Sequence, residues 1–292
     1  MINLWYEESY WEHTQGVVSG PEKVVRNLIK SLDLMDIPYA INENKYKANH
    51  FIQYDRLAQI KHHKVDWRTA FIGPQLWPFE TYGRWVTENP ERWNQLICPS
   101  DWVKGFFQKR YYLGSDQLAV WPVGIDEFDN KRDIQYDCLI YFKRRSSEEL
   151  EAAIKMLKKK KMTYKVLQYG KYTEEEFWNL ANQAKFCFLI NGTESQGIAV
   201  QEIMAHGVPL FVWDLDQWLD MGEENICPAT SVPYWDERCG EKFYKKTMMS
   251  RTFTKFCAKM DEGGYDPKQY VKENLSLQRS AEILLDIIKP VQ

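Results

Sequence analysis

Two carboxylates flank a small, glycine-containing stretch in "NGTESQGIAVQE", residues 191–202. Glu194 and Glu202 lie eight positions apart, and the turn 195–197 predicts a helix start whose first N–H groups are unpaired and favour an anion. Carboxylates accept hydrogen bonds from hydroxyls. The stretch therefore favours a ligand with phosphate in its middle and hydroxyls at both ends, as in a nucleotide sugar. The alternative is an exposed pair without a ligand, in a chain of which 27% is charged.

Length and charge limit the classes of protein that come into question. A chain of 292 residues is about right for two domains of ordinary size. Its net charge of −3 gives no electrostatic reason to expect nucleic acid as a partner. The one basic run, "KMLKKKKM" at 155–162, is interpreted as a solvated helix end, with contact to an anionic membrane surface as the alternative.

The six cysteines are scattered, with no C-x-x-C pair and no histidine at ligand spacing. This usage is typical of a reducing compartment and speaks against structural zinc or a disulfide framework. The opening "MINLWYEESYWE" does not resemble a signal peptide, and no apolar run approaches the roughly 18 residues of a membrane span. We therefore predict a cytoplasmic protein, peripheral at most to a membrane.

Short apolar runs alternate with helical patterns along nearly the whole chain, which indicates α/β domains with parallel sheets. Residues 122–137 interrupt the alternation and are predicted to be a linker. The sequence thus predicts Rossmann-like domains over 1–125 and 136–270, facing each other across a cleft. The C-terminal helix, within 271–292, is expected to pack back towards the first domain.

The order of segments resembles the GT-B glycosyltransferases, and most closely the retaining family 4. Four stretches carry the resemblance: "GVVSGPEKVVRNL", "CPSDWVKGFFQ", "VWPVGIDEFD" and "TESQGIAVQEIMAHGVPLFV". The last is the most specific, because two acids, a small loop, A-x-G-x-P and an apolar strand occur in register. The resemblance spans residues 1 to about 215 and implies the GT-B architecture.

The resemblance implies donor-binding roles. Glu194 would accept hydrogen bonds from donor-sugar hydroxyls, and Glu202 would bind the two ribose hydroxyls. Backbone N–H groups of Ser195, Gln196, Gly197 and Ile198 would face the diphosphate or the sugar. The loop around Gly16 would allow a close approach of backbone to the ligand.

The family also places an arginine after the first strand of the second domain and a lysine five residues later. Arg144 matches the arginine, but position 149 is Glu, so Lys143 or Arg145 is expected to supply the second cation at the leaving group. A solvated basic cluster is the alternative for all three residues.

On the acceptor side, His13, Gln75 and Glu80 are predicted to contact the acceptor. Trp77 or Trp85 would stack on a sugar face, with core packing as the alternative. His206 precedes Gly207 at a predicted helix end, where a cation favours the dipole, and is interpreted as structural.

These roles imply transfer of a sugar from a nucleoside diphosphate sugar, UDP- or GDP-linked, to a hydroxyl of a glycan, glycoprotein or glycolipid. We expect retention and neither a metal nor another cofactor. The triplet "DLD" at 214–216 is interpreted as a loop, with metal binding as the alternative. A nucleotide-sugar epimerase and a non-catalytic nucleotide- or sugar-binding module are the competing hypotheses.

Overall fold

The computed structural model describes residues 1–6, 19–43, 48–53, 65–76, 79, 81–129, 131–218 and 227–288. The chain divides into two compact units. The first contains the opening strand, Ser19–Gly124 and the last helix, and the second contains Ile125–Ser276. Each unit has its own sheet, as the restart of the strand–helix alternation at Cys138 predicts.

The first unit has a six-stranded sheet in the order β2-β1-β3-β4-β5-β6, and all of its strand pairs are parallel. The strands are β1 (Ile2–Trp5), β2 (Tyr39–Ile41), β3 (Asn49–Ile52), β4 (Ala70–Ile72), β5 (Gln95–Cys98) and β6 (Leu118–Val120). The helices are α1 (Gly20–Leu34), α2 (Thr81–Glu88), α3 (Asp101–Tyr111) and, from the end of the chain, α9 (Leu277–Ile287).

Helix α1 begins at a capping box that the sequence encodes locally. The Ser19 hydroxyl accepts from the Glu22 N–H at 3.3 Å, and the Glu22 carboxylate accepts from the Ser19 N–H at 3.4 Å. The helix buries Val24, Val25, Leu28 and Leu32, which are spaced for one face.

Helix α9 packs along α1 in the first unit. The Trp121 indole N–H donates to the Ser280 carbonyl at 3.0 Å, and the Ser280 hydroxyl donates to the Pro122 carbonyl at 2.8 Å. Gly124 makes the close approach possible, because a Cβ there would lie 2.8 Å from Cα of Leu277 and 2.9 Å from Oγ of Ser31.

The second unit has a five-stranded parallel sheet in the order β13-β10-β9-β7-β8 and a two-stranded antiparallel pair, β11 with β12. The strands are β7 (Tyr136–Lys143), β8 (Tyr164–Gln168), β9 (Ala184–Asn191), β10 (Leu210–Trp213), β11 (Gln217–Trp218), β12 (Cys227–Pro228) and β13 (Gly240–Phe243). The helices are α4 (Ser147–Lys159), α5 (Glu174–Gln183), α6 (Ile198–Ala205), α7 (Met249–Asp261) and α8 (Pro267–Leu275).

Strand β9 is almost wholly buried and the middle of β7, Cys138 to Tyr141, is buried as well, as expected for central parallel strands covered on both faces. One face of this sheet packs against α4 and α7 in an aromatic core that contains Phe186, Phe188, Phe211, Phe253 and Phe256. The core holds the carboxyl ends of β7, β9 and β10 in fixed positions, and these ends carry the candidate site.

The units divide the chain at positions that differ from the predicted domain boundaries. Residues 125–135 belong to the second unit rather than to a linker, because Ile125 donates its N–H to the Leu275 carbonyl at 2.8 Å. The Arg132 guanidinium also bonds the Gly207 carbonyl at 2.7 Å and the Ala184 carbonyl. Residues 271–275 lie in α8 of the second unit, and the C-terminal helix begins at Leu277, within the predicted range 271–292.

His206 lies at the C-terminal end of α6, where the sequence predicts it, but it is not a cation at neutral pH. Its ring is 8% exposed and stacks on Phe128 with a centroid distance of 3.9 Å. Burial, together with the positive charges of Arg132 and Lys268, lowers the pKa of His206 to about 4.

This burial predicts a loss of stability in acid. Between pH 6.5 and about 4 the unfolded chain binds a proton at His206 that the folded chain does not, so the stabilisation present above pH 6.5 is lost as the pH falls. The loss is on the order of 3 kcal/mol. We expect His206→Phe, which preserves the stacking on Phe128, to lose less stability than the unsubstituted protein when urea unfolding is compared at pH 7.5 and 4.5. Equal losses would contradict the assignment.

All six cysteines carry free thiols. Among the helices that the structure describes, none combines the length and the apolar character that crossing a membrane requires.

Candidate functional site

The candidate site lies at the carboxyl ends of the central strands of the second sheet. Lys143, the last residue of β7, pairs in register with Asn191, the last residue of β9. Beyond the strands, the Gly192 N–H donates to the Lys143 carbonyl at 2.8 Å. Ligands of open parallel sheets bind at these strand ends, because the loops that leave the sheet there are free to carry polar groups.

Glu194 forms an ion pair within this site. The Lys143 Nζ lies 2.8 Å from Oε1 and 3.0 Å from Oε2 of Glu194, and the Asn191 Nδ2 donates to Oε1 at 3.2 Å. The two charged side chains are only 15% and 13% exposed. A third contact joins the Glu194 N–H to the Thr230 carbonyl at 3.0 Å. Glu194 is therefore held in one orientation, with its negative charge balanced by Lys143.

Helix α6 starts where the glycine-containing stretch predicts it. Gly197 precedes the helix with φ 75° and ψ 40°, a left-handed conformation that favours glycine. In the part of the chain that the structure describes, no side chain caps this helix start. Ser195 is exposed, whereas Gln196 is buried and bonds Gln201. The first turn of α6 thus follows Glu194 closely in the chain, and the backbone N–H groups of such a helix start favour an anion.

Glu202 lies on α6 and is 5% exposed. Both Glu202 and Glu194 are close enough to Tyr172 for their charges to act on its hydroxyl. Within the second unit, the two predicted carboxylates thus lie near the same side chain, that of Tyr172. Because Glu202 is 5% exposed and the Glu194 side chain is 13% exposed, they are not the exposed pair of the alternative interpretation.

The three basic residues after β7 have different environments. Arg144 is exposed, has φ 52°, and forms no ion pair with any residue that the structure describes. The Arg145 side chain is 6% exposed and donates to the carbonyls of Asn191 at 3.1 Å and Trp213 at 2.9 Å. It therefore joins the ends of β9 and β10 and is not available to a leaving group.

Glu149, which stands where the family has lysine, is the ion-pair partner of Arg145. It also completes the capping box of α4 with Ser146. Burial by itself would raise the pKa of Glu149, but the hydrogen bonds and positive charge of Arg145, together with the hydrogen bonds from Ser146, outweigh that effect and lower it. Of the two candidates for a second cation, Lys143 is thus the one that contacts Glu194.

Asp214, the first residue of the "DLD" triplet, is buried and fully engaged. Its carboxylate accepts from the Thr230 hydroxyl at 2.8 Å and from the Ser231 N–H at 2.7 Å, and it lies 3.3 Å from the Lys242 Nζ. These bonds hold the 230–231 turn against the site, since the Ser231 hydroxyl donates to the Asn191 carbonyl at 3.0 Å. Asp214 therefore has a structural role. Within the described ranges, no group of three or more potential metal ligands occurs.

The predicted acceptor-side residues are only partly described. His13, Gly16 and Glu80, as well as Trp77, lie outside the described residues. Gln75 is half-buried beyond the end of β4 in the first unit. Trp85 packs edge-on against Trp67 with ring centroids 5.1 Å apart. This contact is of the packing type that we named as the alternative to stacking on a sugar.

Sequence reasoning missed several residues of the site. One weak sequence feature could have indicated Asn191, because it is a polar residue at the end of an apolar strand. No sequence feature distinguishes Tyr141, Tyr169 and Tyr172 from the other tyrosines, of which the chain has 17 in all. The Tyr141 and Tyr172 hydroxyls lie 3.1 Å apart, and the Lys143 Nζ lies 4.3 Å from the ring centre of Tyr169.

Neither a protein-family model nor a curated protein matches the sequence. Solved structures do match. Sucrose-phosphate synthase from Thermosynechococcus elongatus has a TM-score of 0.62 at 11% identity, over 98% of this chain and 97% of that one. AviGT4, a glycosyltransferase involved in Avilamycin A biosynthesis, has a TM-score of 0.57 at 10% identity, over 99% and 96%.

TarM has a TM-score of 0.60 at 10% identity, and the match covers 92% of this chain but only 59% of TarM. The present chain is thus shorter than some of the proteins that it resembles. At such low identities the likeness concerns the fold. The predicted architecture is confirmed: this α/β chain has the fold of the GT-B glycosyltransferases.

Proposed function

We propose that the protein transfers a sugar from a nucleoside diphosphate sugar to an acceptor hydroxyl, with retention at the anomeric carbon and without a metal. The fold supports glycosyl transfer in general, since its solved neighbours include glycosyltransferases. A TarM variant from S. aureus has been crystallised with UDP, which supports a nucleoside diphosphate as the bound group. Membership of family 4 is part of the proposal.

The observation that carries the proposal is the pairing of Glu194 with Lys143 beside the uncapped start of α6. A carboxylate near a diphosphate would repel it, but Lys143 at 2.8 Å balances that charge. Glu194 can then accept hydrogen bonds from sugar hydroxyls while the helix amides meet the phosphate. We assign the ribose hydroxyls to Glu202, whose carboxylate suits a bidentate contact.

In the proposed reaction, negative charge develops on the diphosphate as its bond to the sugar breaks. Arg144, Lys143 and the amides of α6 would stabilise that charge, which makes a metal ion unnecessary. The acceptor hydroxyl oxygen bonds to the sugar carbon on the face from which the nucleoside diphosphate departs, and the hydroxyl proton passes to the departing diphosphate oxygen. Gly16 would contact the donor, and His13, Gln75 and Glu80 would contact the acceptor.

We propose a glycan, glycoprotein or glycolipid as the acceptor. We also propose a cytoplasmic location, which the six free thiols support because such thiols persist in reducing compartments.

The test is a panel of UDP- and GDP-linked sugars, incubated with the protein and followed by NMR of the anomeric protons. We expect release of nucleoside diphosphate from one donor, by transfer or by slow hydrolysis. Epimerisation without release would instead support an epimerase, and binding without any product would support a non-catalytic module. If no donor binds, the proposal is wrong. EDTA in parallel samples tests metal independence.

A further inference from the structure

We propose that the Tyr172 hydroxyl donates a hydrogen bond to an oxygen atom of the bound nucleotide, and that Tyr141 sets the direction of this donor. The proposal rests on the proposed function, because it names a further binding residue of the same site. It assigns to the site a neutral donor, which complements two carboxylates that can only accept.

The argument begins with the hydrogen atoms of the two hydroxyls. The Tyr141 and Tyr172 hydroxyl oxygens lie 3.1 Å apart, and either of them can be the donor. Tyr141, on β7, is 0% exposed, whereas Tyr172 is half-buried. Two hydroxyls carry two hydrogens, and their mutual bond uses only one of them. The other hydrogen needs a second acceptor.

Burial decides which hydroxyl donates. If Tyr172 donated, the hydrogen of Tyr141 would be left in the core, and an unsatisfied buried donor is costly. The favoured arrangement has Tyr141 donating to Tyr172. The hydrogen of Tyr172 is then directed away from Tyr141 and needs another acceptor.

The ring of Tyr172 is held in place. It stacks on Phe177 with centroids 5.5 Å apart and an interplanar angle of 22°. Tyr141 meets the same Phe177 edge-on at 6.3 Å. A donor on a fixed ring loses little conformational entropy when it binds a ligand, so one hydrogen bond from it contributes efficiently to affinity.

The surroundings keep this hydroxyl protonated. Burial raises the pKa of Tyr172 to about 12, and Tyr169, Glu202 and Glu194 act in the same direction. Tyr172 therefore remains a donor throughout the neutral range. Tyr141 lies two residues before Lys143 on β7, and β8 pairs in register with β7 as far as Gln168. Tyr172, which is bonded to Tyr141, therefore lies near the strand end that carries Lys143 and its partner Glu194.

The test compares Tyr172→Phe with Tyr141→Phe, since each substitution removes one oxygen and keeps the ring. UDP, GDP and inorganic pyrophosphate are titrated by calorimetry against each variant and the unsubstituted protein. We expect Tyr172→Phe to weaken nucleoside diphosphate binding about two- to twelvefold, the usual range for one hydrogen bond. Tyr141→Phe keeps the donor and removes only the partner that sets its direction, so it should weaken binding less than Tyr172→Phe does, and it should lower the urea midpoint of unfolding.

The pyrophosphate titration identifies the oxygen. A loss for UDP or GDP alone places the contact on the nucleoside, and a matching loss for pyrophosphate places it on the phosphates. Unchanged affinity in Tyr172→Phe, with normal binding by the unsubstituted protein, overturns this inference and leaves the proposed function intact. Equal losses in the two variants also overturn it, because they indicate a shared packing effect. If the unsubstituted protein binds no nucleoside diphosphate, both proposals fail.

Discussion

Arg144→Ala is expected to lower the turnover of the preferred donor by about two to three orders of magnitude, while the affinity for nucleoside diphosphate changes much less. The reason is that the charge on the departing diphosphate is largest in the transition state, so the loss of one electrostatic partner acts mainly on the rate. Such losses commonly amount to about 2.7–4 kcal/mol. The measurement is kcat and KM for donor hydrolysis or transfer, with Kd from titration.

The neighbouring basic residues and an exposed arginine on α7 serve as comparisons for Arg144→Ala. Lys143→Ala should also lower turnover, since it leaves Glu194 without its counter-ion at 2.8 Å. Arg145→Ala should destabilise the fold, because its guanidinium bonds the carbonyls of Asn191 and Trp213. Arg251→Ala removes an exposed arginine from α7 and should leave turnover unchanged. Normal transfer rates in all three variants at 143–145 would mean that the helix amides or another cation serve the leaving group.

Glu202→Ala is expected to weaken binding of free nucleoside diphosphate by about 10- to 150-fold. The ribose loses a charge-assisted pair of hydrogen bonds, and bonds to charged groups contribute about 1.5–3 kcal/mol. Glu194→Ala should chiefly reduce sugar recognition and turnover instead, because this carboxylate is assigned to the sugar hydroxyls. The measurement is a calorimetric titration of nucleoside diphosphate against both variants, alongside steady-state kinetics with the intact donor.

Glu202 is 5% exposed, so its replacement by alanine also removes packed volume. Glu202→Gln preserves the volume and removes only the charge, and urea unfolding of both variants separates a binding effect from a folding effect. Equal losses of nucleoside diphosphate affinity in the Glu194 and Glu202 variants would show that the two acids are not divided between sugar and ribose in the way we assign them.

The local parts of the site could be read from the sequence. Gly197 before a run of apolar and helix-forming residues predicts the start of α6, because glycine tolerates the left-handed conformation that it adopts there. The apolar run that ends at Asn191 predicts a buried strand, and Glu194 follows it within one loop. The α/β class also follows from the alternation of such runs with amphipathic segments. These features depend on neighbours within a few residues.

The partners across the sheet could not be read in this way. In the sequence, Lys143, Arg144 and Arg145 at the end of β7 are three similar cations. Only the tertiary structure shows that Arg145 forms an ion pair with Glu149 and that Lys143 forms one with Glu194. Residues 143 and 194 become neighbours because β7 and β9 pair in register, and register depends on the packing of whole strands. The hydrogen bond from Thr230 to Asp214 and the ion pair of Asp214 with Lys242 are likewise long-range contacts.

The sequence by itself thus determined the α/β alternation, the two acids and the helix start between them, since each rests on residues close together in the chain. The tertiary structure decided which cation balances Glu194, that Tyr141 and Tyr172 share a hydrogen bond, and that residues 125–135 belong to the second unit. These contacts join segments far apart in sequence, and their formation depends on side-chain packing throughout the core rather than on any local preference.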